Sequence, residues 1–266
     1  MKTETITSAQ NPRIKELTTL QEKSRTRKEK GLFVVEGRRE LLHCLEAGYE
    51  PYTLFVCPEI LQEDEYASIT RLCRCNTVEI PAYLYDKVAY RGGTEGVMAE
   101  MKCKSHGLSD LNIGKSPIVI VLESVEKPGN LGAVLRSADA SGADAVIVCD
   151  PLTDLYNPNL IRSSIGGIFT VPVATATSEE AIKWLKDNKI QILTAQLQDS
   201  LPYYDTDMTC GTAIVMGTEA TGLTEIWRKA ADSHIMIPML GKLDSLNVSV
   251  SAAILLYEAV RQRNAR

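Results

Sequence analysis

From Ser116 to the C-terminus, short apolar runs of strand length alternate with amphipathic helical stretches, and few architectures accept that rhythm. The run at 118–122 (IVIVL) is continuously apolar. In the following NLGAVLRSADASG, Leu131, Val134, Leu135 and Ala138 recur at i, i+3, i+4 and i+7, the period of an amphipathic helix. Further strands are expected at 145–148, 190–194, 213–216 and 234–237, with 171–173 extended. Thr177 and Glu180 form a capping box opening another helix, and a long helix is expected over about 248–263. Continuously apolar strands are buried on both faces, which implies an α/β fold with a mostly parallel sheet covered by helices on both sides.

The first hundred residues read as a smaller α/β unit. A polar helix is expected over 10–30, a strand at 32–36, and a helix from RRELLHCLEAG that ends at Gly48. A strand at 53–57, a helix over 59–75 and an extended segment at 77–80 follow. A chain of 266 residues suits two domains. The expected division is a domain at 1–105, a polar linker at 106–115 and a second domain at 116–266, with a loop and helix at 154–167.

Charge separates the two halves. The net charge of -5 arises entirely after residue 105, while residues 13–39 hold nine basic side chains against four acidic ones. Arg13, Lys15, Lys23, Arg25, Arg27, Lys28, Lys30, Arg38 and Arg39 make up that cluster. It reads as the footprint of a polyanion partner, or equally as a solvated helix face. The seven cysteines have no metal or disulfide spacing and suit free thiols in a reducing cytoplasm. No run reaches a membrane span, the first residues have no secretory h-region, and no two of the three histidines have metal spacing.

Three strand-exit loops have unusual composition, and in parallel sheets such loops hold ligands. The first is Lys127-Pro128-Gly129-Asn130-Leu131-Gly132, with Arg136 further along the helix and off its apolar stripe. The second is Gly217-Thr218-Glu219-Ala220-Thr221-Gly222-Leu223, a carboxylate between two glycines. The third runs from Ile237-Pro238-Met239 to Ser245-Leu246-Asn247-Val248-Ser249 at the start of the last helix. Each alone also reads as an ordinary capped turn. No dinucleotide fingerprint, Walker A sequence or nucleophile elbow is present.

Together the loops resemble the three signature motifs of the SpoU/TrmH group of SPOUT RNA methyltransferases. EKPGNLGAVLRSADASGADAVIV resembles the first, with an N-x-G-x-x-x-R core at Asn130, Gly132 and Arg136. IVMGTEATGL resembles the second, and IPMLGKLDSLNVSVSAAILLYEAVRQR the third. LFVVEGRRELLHCLEAG is similar, more weakly, to the L30e-like substrate-binding domain of rRNA-modifying members.

The resemblance implies a trefoil-knotted catalytic domain that works as a homodimer with the last helix in the interface. It implies an RNA 2'-O-ribose methyltransferase using S-adenosylmethionine, with 23S rRNA the expected substrate. The cofactor would meet Leu197, Gly217, Ile237 and Leu246. Arg136 would be the central catalytic residue, with Asn130, Glu219, Ser245 and Asn247 positioning it and the ribose. Arg25, Arg27, Lys28, Arg38 and Arg39 would grip RNA. Arginine stays protonated, so Arg136 is expected to hold a phosphate and stabilise the developing alkoxide rather than act as general base. The alternatives are a tRNA ribose methyltransferase, a base methyltransferase of the same superfamily, a non-catalytic RNA-binding protein on this scaffold and an unrelated α/β nucleotide enzyme.

Overall fold

The computed structural model describes residues 2–90, 95–218 and 221–265. The chain forms two compact units. One comprises Met1–Lys104 with Asp154–Thr170, and the other Ser105–Thr153 with Val171–Arg266.

The first unit contains β1 (Thr3–Thr5), α1 (Pro12–Glu22), α2 (Ser24–Lys30), β2 (Leu32–Glu36), α3 (Arg38–Glu46), β3 (Pro51–Val56), α4 (Glu63–Cys73), β4 (Asn76–Glu79), α5 (Ala82–Val88) and β5 (Val97–Lys102). Its five-stranded sheet runs β1-β4-β3-β5-β2. β5 is antiparallel to both neighbours, and the other pairs are parallel. The helix expected over 10–30 is two helices that meet at Lys23, whose backbone is extended there (φ -115, ψ 109). The break has a physical cause. Arg27 folds back and donates from Nη1 to the carbonyls of Leu20 (2.6 Å) and Gln21 (3.0 Å), capping the last turn of α1.

Arg27 also pairs through Nε with Asp154 at 2.6 Å, with only 3% and 11% of the two side chains exposed. That pair ties residues 154–170 to the first unit, although they were expected in the C-terminal half. The segment carries α6 (Pro158–Ser164) and α7 (Gly167–Thr170). Tyr156 stacks on Phe33 with centroids 4.1 Å apart, and Phe169 meets Tyr49 edge-on at 5.3 Å. Aromatic pairs of this kind add about 0.5–1.5 kcal/mol each to the area they bury. Removing one partner of a buried ion pair strands the other's charge. Arg27→Ala is therefore expected to cost about 3–5 kcal/mol in urea unfolding. Lys28→Ala, one exposed residue on, is expected to stay within about 0.5 kcal/mol.

Glu100 is buried on β5, between β3 and β2. Loss of hydration pushes its carboxyl up to about 7, against a partial pull downward from the Thr53 hydroxyl. A carboxyl that holds its proton in the folded state is neutral at no cost below the unfolded value near 4.5. Between that value and about 7, the unfolded chain releases the proton and the folded chain keeps it, so stability falls as pH rises. The expected loss is about 2–3 kcal/mol between pH 4.5 and 7.5. Glu100→Gln should flatten that part of a stability-pH profile measured by urea unfolding. A profile unchanged by the substitution would refute the assignment.

The second unit contains β6 (Ile118–Glu123), α8 (Pro128–Ser141), β7 (Ala145–Cys149), β8 (Val173–Ala176), α9 (Ser178–Asp187), β9 (Gln191–Ala195), β10 (Leu201–Pro202), β11 (Thr212–Met216), α10 (Glu225–Ala230), β12 (Ser233–Met236) and α11 (Val248–Asn264). Its sheet runs β10-β12-β9-β11-β6-β7-β8, and every pairing is parallel. β6, β7 and β11 are buried at every position, as expected for strands covered on both faces. The stretch 106–115, expected as a linker, packs instead. Leu108, Leu111 and Ile113 lie against the core of this unit, and the Thr175 amide donates to the His106 carbonyl at 2.7 Å. Three apolar side chains anchor what its polar composition made look free.

At the far end of α11, Arg263 donates to the carbonyls of Met208 (3.0 Å), Ser116 (2.6 Å), Pro117 (3.2 Å) and Cys210 (2.5 Å). Gln262 adds bonds to the Thr206 carbonyl and the Met208 amide. The last turn of α11 is thereby stapled to the loops at the N-terminal edge of the sheet. α11 also packs along α8, where the Tyr257 hydroxyl donates to the Ala140 carbonyl at 3.2 Å.

Candidate active site

The strands of the second unit fan out so that the exits of β9, β11 and β12 lie side by side. A cleft of about 330 Å³ opens there, closed from the other side by the start of α11. Ligand clefts span roughly 300–1,000 Å³ and form at strand exits of parallel sheets. Leu197, Gly217, Ile237 and Leu246, drawn from three loops, all line it, and so does Ser245. Met216, Leu223, Val248 and Leu255 supply apolar wall.

The β11 exit makes the tightest wall. The Gly222 amide donates to the Thr218 carbonyl and the Thr221 amide to Thr218 Oγ1, each at 3.0 Å. Gly222 sits at φ +68, a left-handed conformation that disfavours side chains. The turn folds back so closely that a Cβ on Gly217 would lie 2.3 Å from the Gly222 carbonyl group.

Buried Glu123, at the end of β6, fixes the far side of that turn. It accepts from the Thr224 amide at 2.8 Å and the Thr224 hydroxyl at 2.5 Å. Nearby, Ser178 donates to Asp150 at 2.6 Å and accepts from the Trp227 indole at 3.0 Å. The sequence reading missed Glu123 and Trp227 as parts of the site. A glutamate closing an apolar strand was the available signal.

The remaining expected residues divide. Asn247 caps α11, accepting from the Ser249 amide at 3.0 Å, and donates to Asn130 Oδ1 at 3.2 Å. The first and third loops are thus joined by one side-chain hydrogen bond. Ser245 donates to Asp244 at 3.3 Å and takes no part in capping. Arg136 is exposed on α8, carries no ion pair or hydrogen bond among the described residues, and does not line the cleft. Six residues beyond Asn130, it points about 240° round the helix from it. Glu219 lies outside the described residues.

Of the five expected RNA contacts, Arg27 is withdrawn, because its side chain is buried, with Nε on Asp154 and Nη1 on two carbonyls, out of reach of a phosphate. Arg38 is held between Glu65 and Glu95, and Arg39 pairs with Glu40 at 3.0 Å. Arg25 is exposed with a surface pair to Glu29, and Lys28 is exposed without an ion pair among the described residues.

An all-parallel sheet with a cleft gathered from three strand exits defines a cofactor-binding α/β domain. Residues 117–257 match the SpoU rRNA Methylase family and residues 11–99 the MRM3-like substrate binding domain. The chain belongs to the SpoU rRNA methylase family. It is 28% identical over 252 residues to the 23S rRNA (guanosine(2553)-2'-O)-methyltransferase RlmP of Bacillus subtilis, covering 95% of this chain and 97% of that one. A crystal structure of an RNA 2'-O ribose methyltransferase superposes with TM-score 0.85 at 37% identity, covering 98% of this chain and all of that one. The SpoU methyltransferase AviRb from Streptomyces viridochromogenes, in complex with the cofactor AdoMet, superposes with TM-score 0.89 at 27% identity, covering 96% and 99%.

Proposed function

We propose that this protein transfers a methyl group from S-adenosylmethionine to a ribose 2'-hydroxyl of 23S rRNA. The observation that carries the reading is the cleft, where Leu197, Gly217, Ile237 and Leu246 come together from three strand exits. The cleft suits a nucleoside cofactor: its walls are largely apolar, and Gly217 in its wall packs so closely on the Gly222 backbone that no side chain fits there. S-adenosylmethionine supplies an electrophilic methyl group on a sulfonium. The protein's own task is to align a 2'-hydroxyl within about 3 Å of that methyl and to accommodate the alkoxide as its proton leaves. Asn130 and Asn247, joined to each other, fix the junction of α8 and α11 beside the cleft. Arg136, exposed and without an ion pair among the described residues, is left to hold the phosphate next to the target ribose.

The family pattern further supports a trefoil knot in the second unit and a homodimer through α11, where Val250 and Tyr257 are exposed on one face, seven residues apart. It also supports a cytoplasmic enzyme without a metal. Among the described residues no helix is long and apolar enough to cross a membrane, and no cluster of metal-binding side chains is present.

Incubation with unmodified 23S rRNA and labelled S-adenosylmethionine, followed by nucleoside mass spectrometry, should yield a 2'-O-methylnucleoside. A base-methylated product, or transfer to tRNA alone, would overturn the reading. RNA binding should weaken with salt. Arg25→Ala with Lys28→Ala should lower the slope of log K against log salt by about 1–2, the loss of two phosphate contacts. An unchanged slope would remove the two residues from the RNA face.

A further inference from the structure

The cleft contains two polar atoms that nothing among the described residues answers. Gln196 Oε1, an acceptor, and Arg228 Nε, a donor, are buried without a hydrogen bond, and both residues line the cleft. The Gln196 amide nitrogen is already committed to the Gln198 carbonyl at 2.9 Å, so the oxygen is what this side chain has to offer. Arg228 makes one long contact, Nη1 to Gln198 Oε1 at 3.4 Å. Unanswered buried donors and acceptors are rare and call for a partner.

The position of Arg228 is set by its neighbours. Trp227 is fully buried with its indole on Ser178, and Thr224 is held by Glu123. α10 is therefore pinned, and the next residue round the helix faces the cleft. The other charged side chain lining the cleft, among the described residues, is Asp244, which accepts from Ser245 and forms no ion pair with Arg228.

A guanidinium fork reads a carboxylate, and an amide oxygen accepts from an ammonium. Lining one cleft and meeting at Gln198, the two side chains match the zwitterion of an α-amino acid. We propose that Arg228 and Gln196 form the subsite for the amino-acid end of S-adenosylmethionine, Arg228 on its carboxylate and Gln196 on its ammonium. The proposal rests on the cofactor reading above.

Titration calorimetry on the full-length protein with two probes tests it. S-adenosylhomocysteine carries the amino-acid end; 5'-methylthioadenosine keeps the adenosine and the thioether but lacks it. Arg228→Met should bind S-adenosylhomocysteine about tenfold or more weakly and methylthioadenosine within about twofold of wild type. Gln196→Leu should show the same selectivity with a smaller loss. Arg228→Lys, which keeps the charge without the fork, should fall between and covers the case in which the Met variant unfolds. Equal losses for both probes, or none for either, would overturn the subsite. Failure of the wild-type protein to bind either probe would instead overturn the cofactor reading.

Discussion

Replacing Arg136 with alanine is expected to cut methyl transfer by about 10²–10³-fold while leaving cofactor affinity and stability where they were. The size follows from what one charged group contributes when it faces charge that develops only in the transition state, about 2.7–4 kcal/mol. The selectivity follows from where Arg136 sits. It does not line the cleft, so cofactor affinity should stay within about twofold. It is exposed on a helix, has no ion pair or hydrogen bond among the described residues, and alanine is the better helix former, so unfolding free energy should move by no more than about 0.5 kcal/mol. Single-turnover transfer of labelled methyl to rRNA, beside calorimetry with S-adenosylhomocysteine, separates these quantities. Arg136→Lys should recover part of the rate, because it restores the charge but not the two-pronged grip on a phosphate. Turnover near wild type in the alanine variant would remove Arg136 from the chemistry. A parallel fall in cofactor affinity would move it into the cofactor site.

What the sequence made legible, and what it hid, follows from the range of the interactions involved. β6, β7 and β11 are unbroken runs of apolar residues, and the sheet they imply is the one observed, down to uniform burial. β5 was invisible, because Met98, Ala99, Glu100 and Met101 have the composition of a helix, and only pairing with strands on both sides makes them a strand. Arg27, which caps α1 at the break, is buried against a partner at Asp154 that lies 127 residues away. Charge counting cannot tell an arginine that waits for phosphate from one consumed by its own fold. In the cleft, Gly217, Ile237 and Leu246, which belong to motifs with fixed order and spacing, converge with Leu197, which was expected only from its strand exit. Gln196 and Arg228 belong to no such motif, and their unanswered atoms become visible only when burial and hydrogen bonding are known atom by atom. Glu123 is a similar case, a strand-end acid whose role depends on Thr224, 101 residues later.

Gly217→Ala is expected to abolish measurable cofactor binding, a loss of about 100-fold or more, and to destabilise the second unit by about 2–3 kcal/mol. The added carbon would sit 2.3 Å from the carbonyl carbon and oxygen of Gly222 and 2.5 Å from the Leu223 nitrogen, all backbone atoms. A flexible side chain could swing aside, but this backbone cannot. Thr218 and Gly222 are bridged to each other, and Thr224 is held by the buried Glu123 carboxylate. The turn must therefore open by about 1 Å, and it forms a wall of the cleft, so cofactor contacts and fold are lost together. Gly222→Ala is the informative comparison. A Cβ there meets nothing within 4 Å, and the penalty is the left-handed backbone at φ +68 alone, about 1–2 kcal/mol. That variant should lose a similar amount of stability in urea unfolding yet keep cofactor affinity within about tenfold. If both glycines behaved alike in calorimetry, backbone strain rather than clearance would govern the turn. If Gly217→Ala bound S-adenosylhomocysteine as tightly as wild type, the β11 exit would not be part of the cofactor site at all.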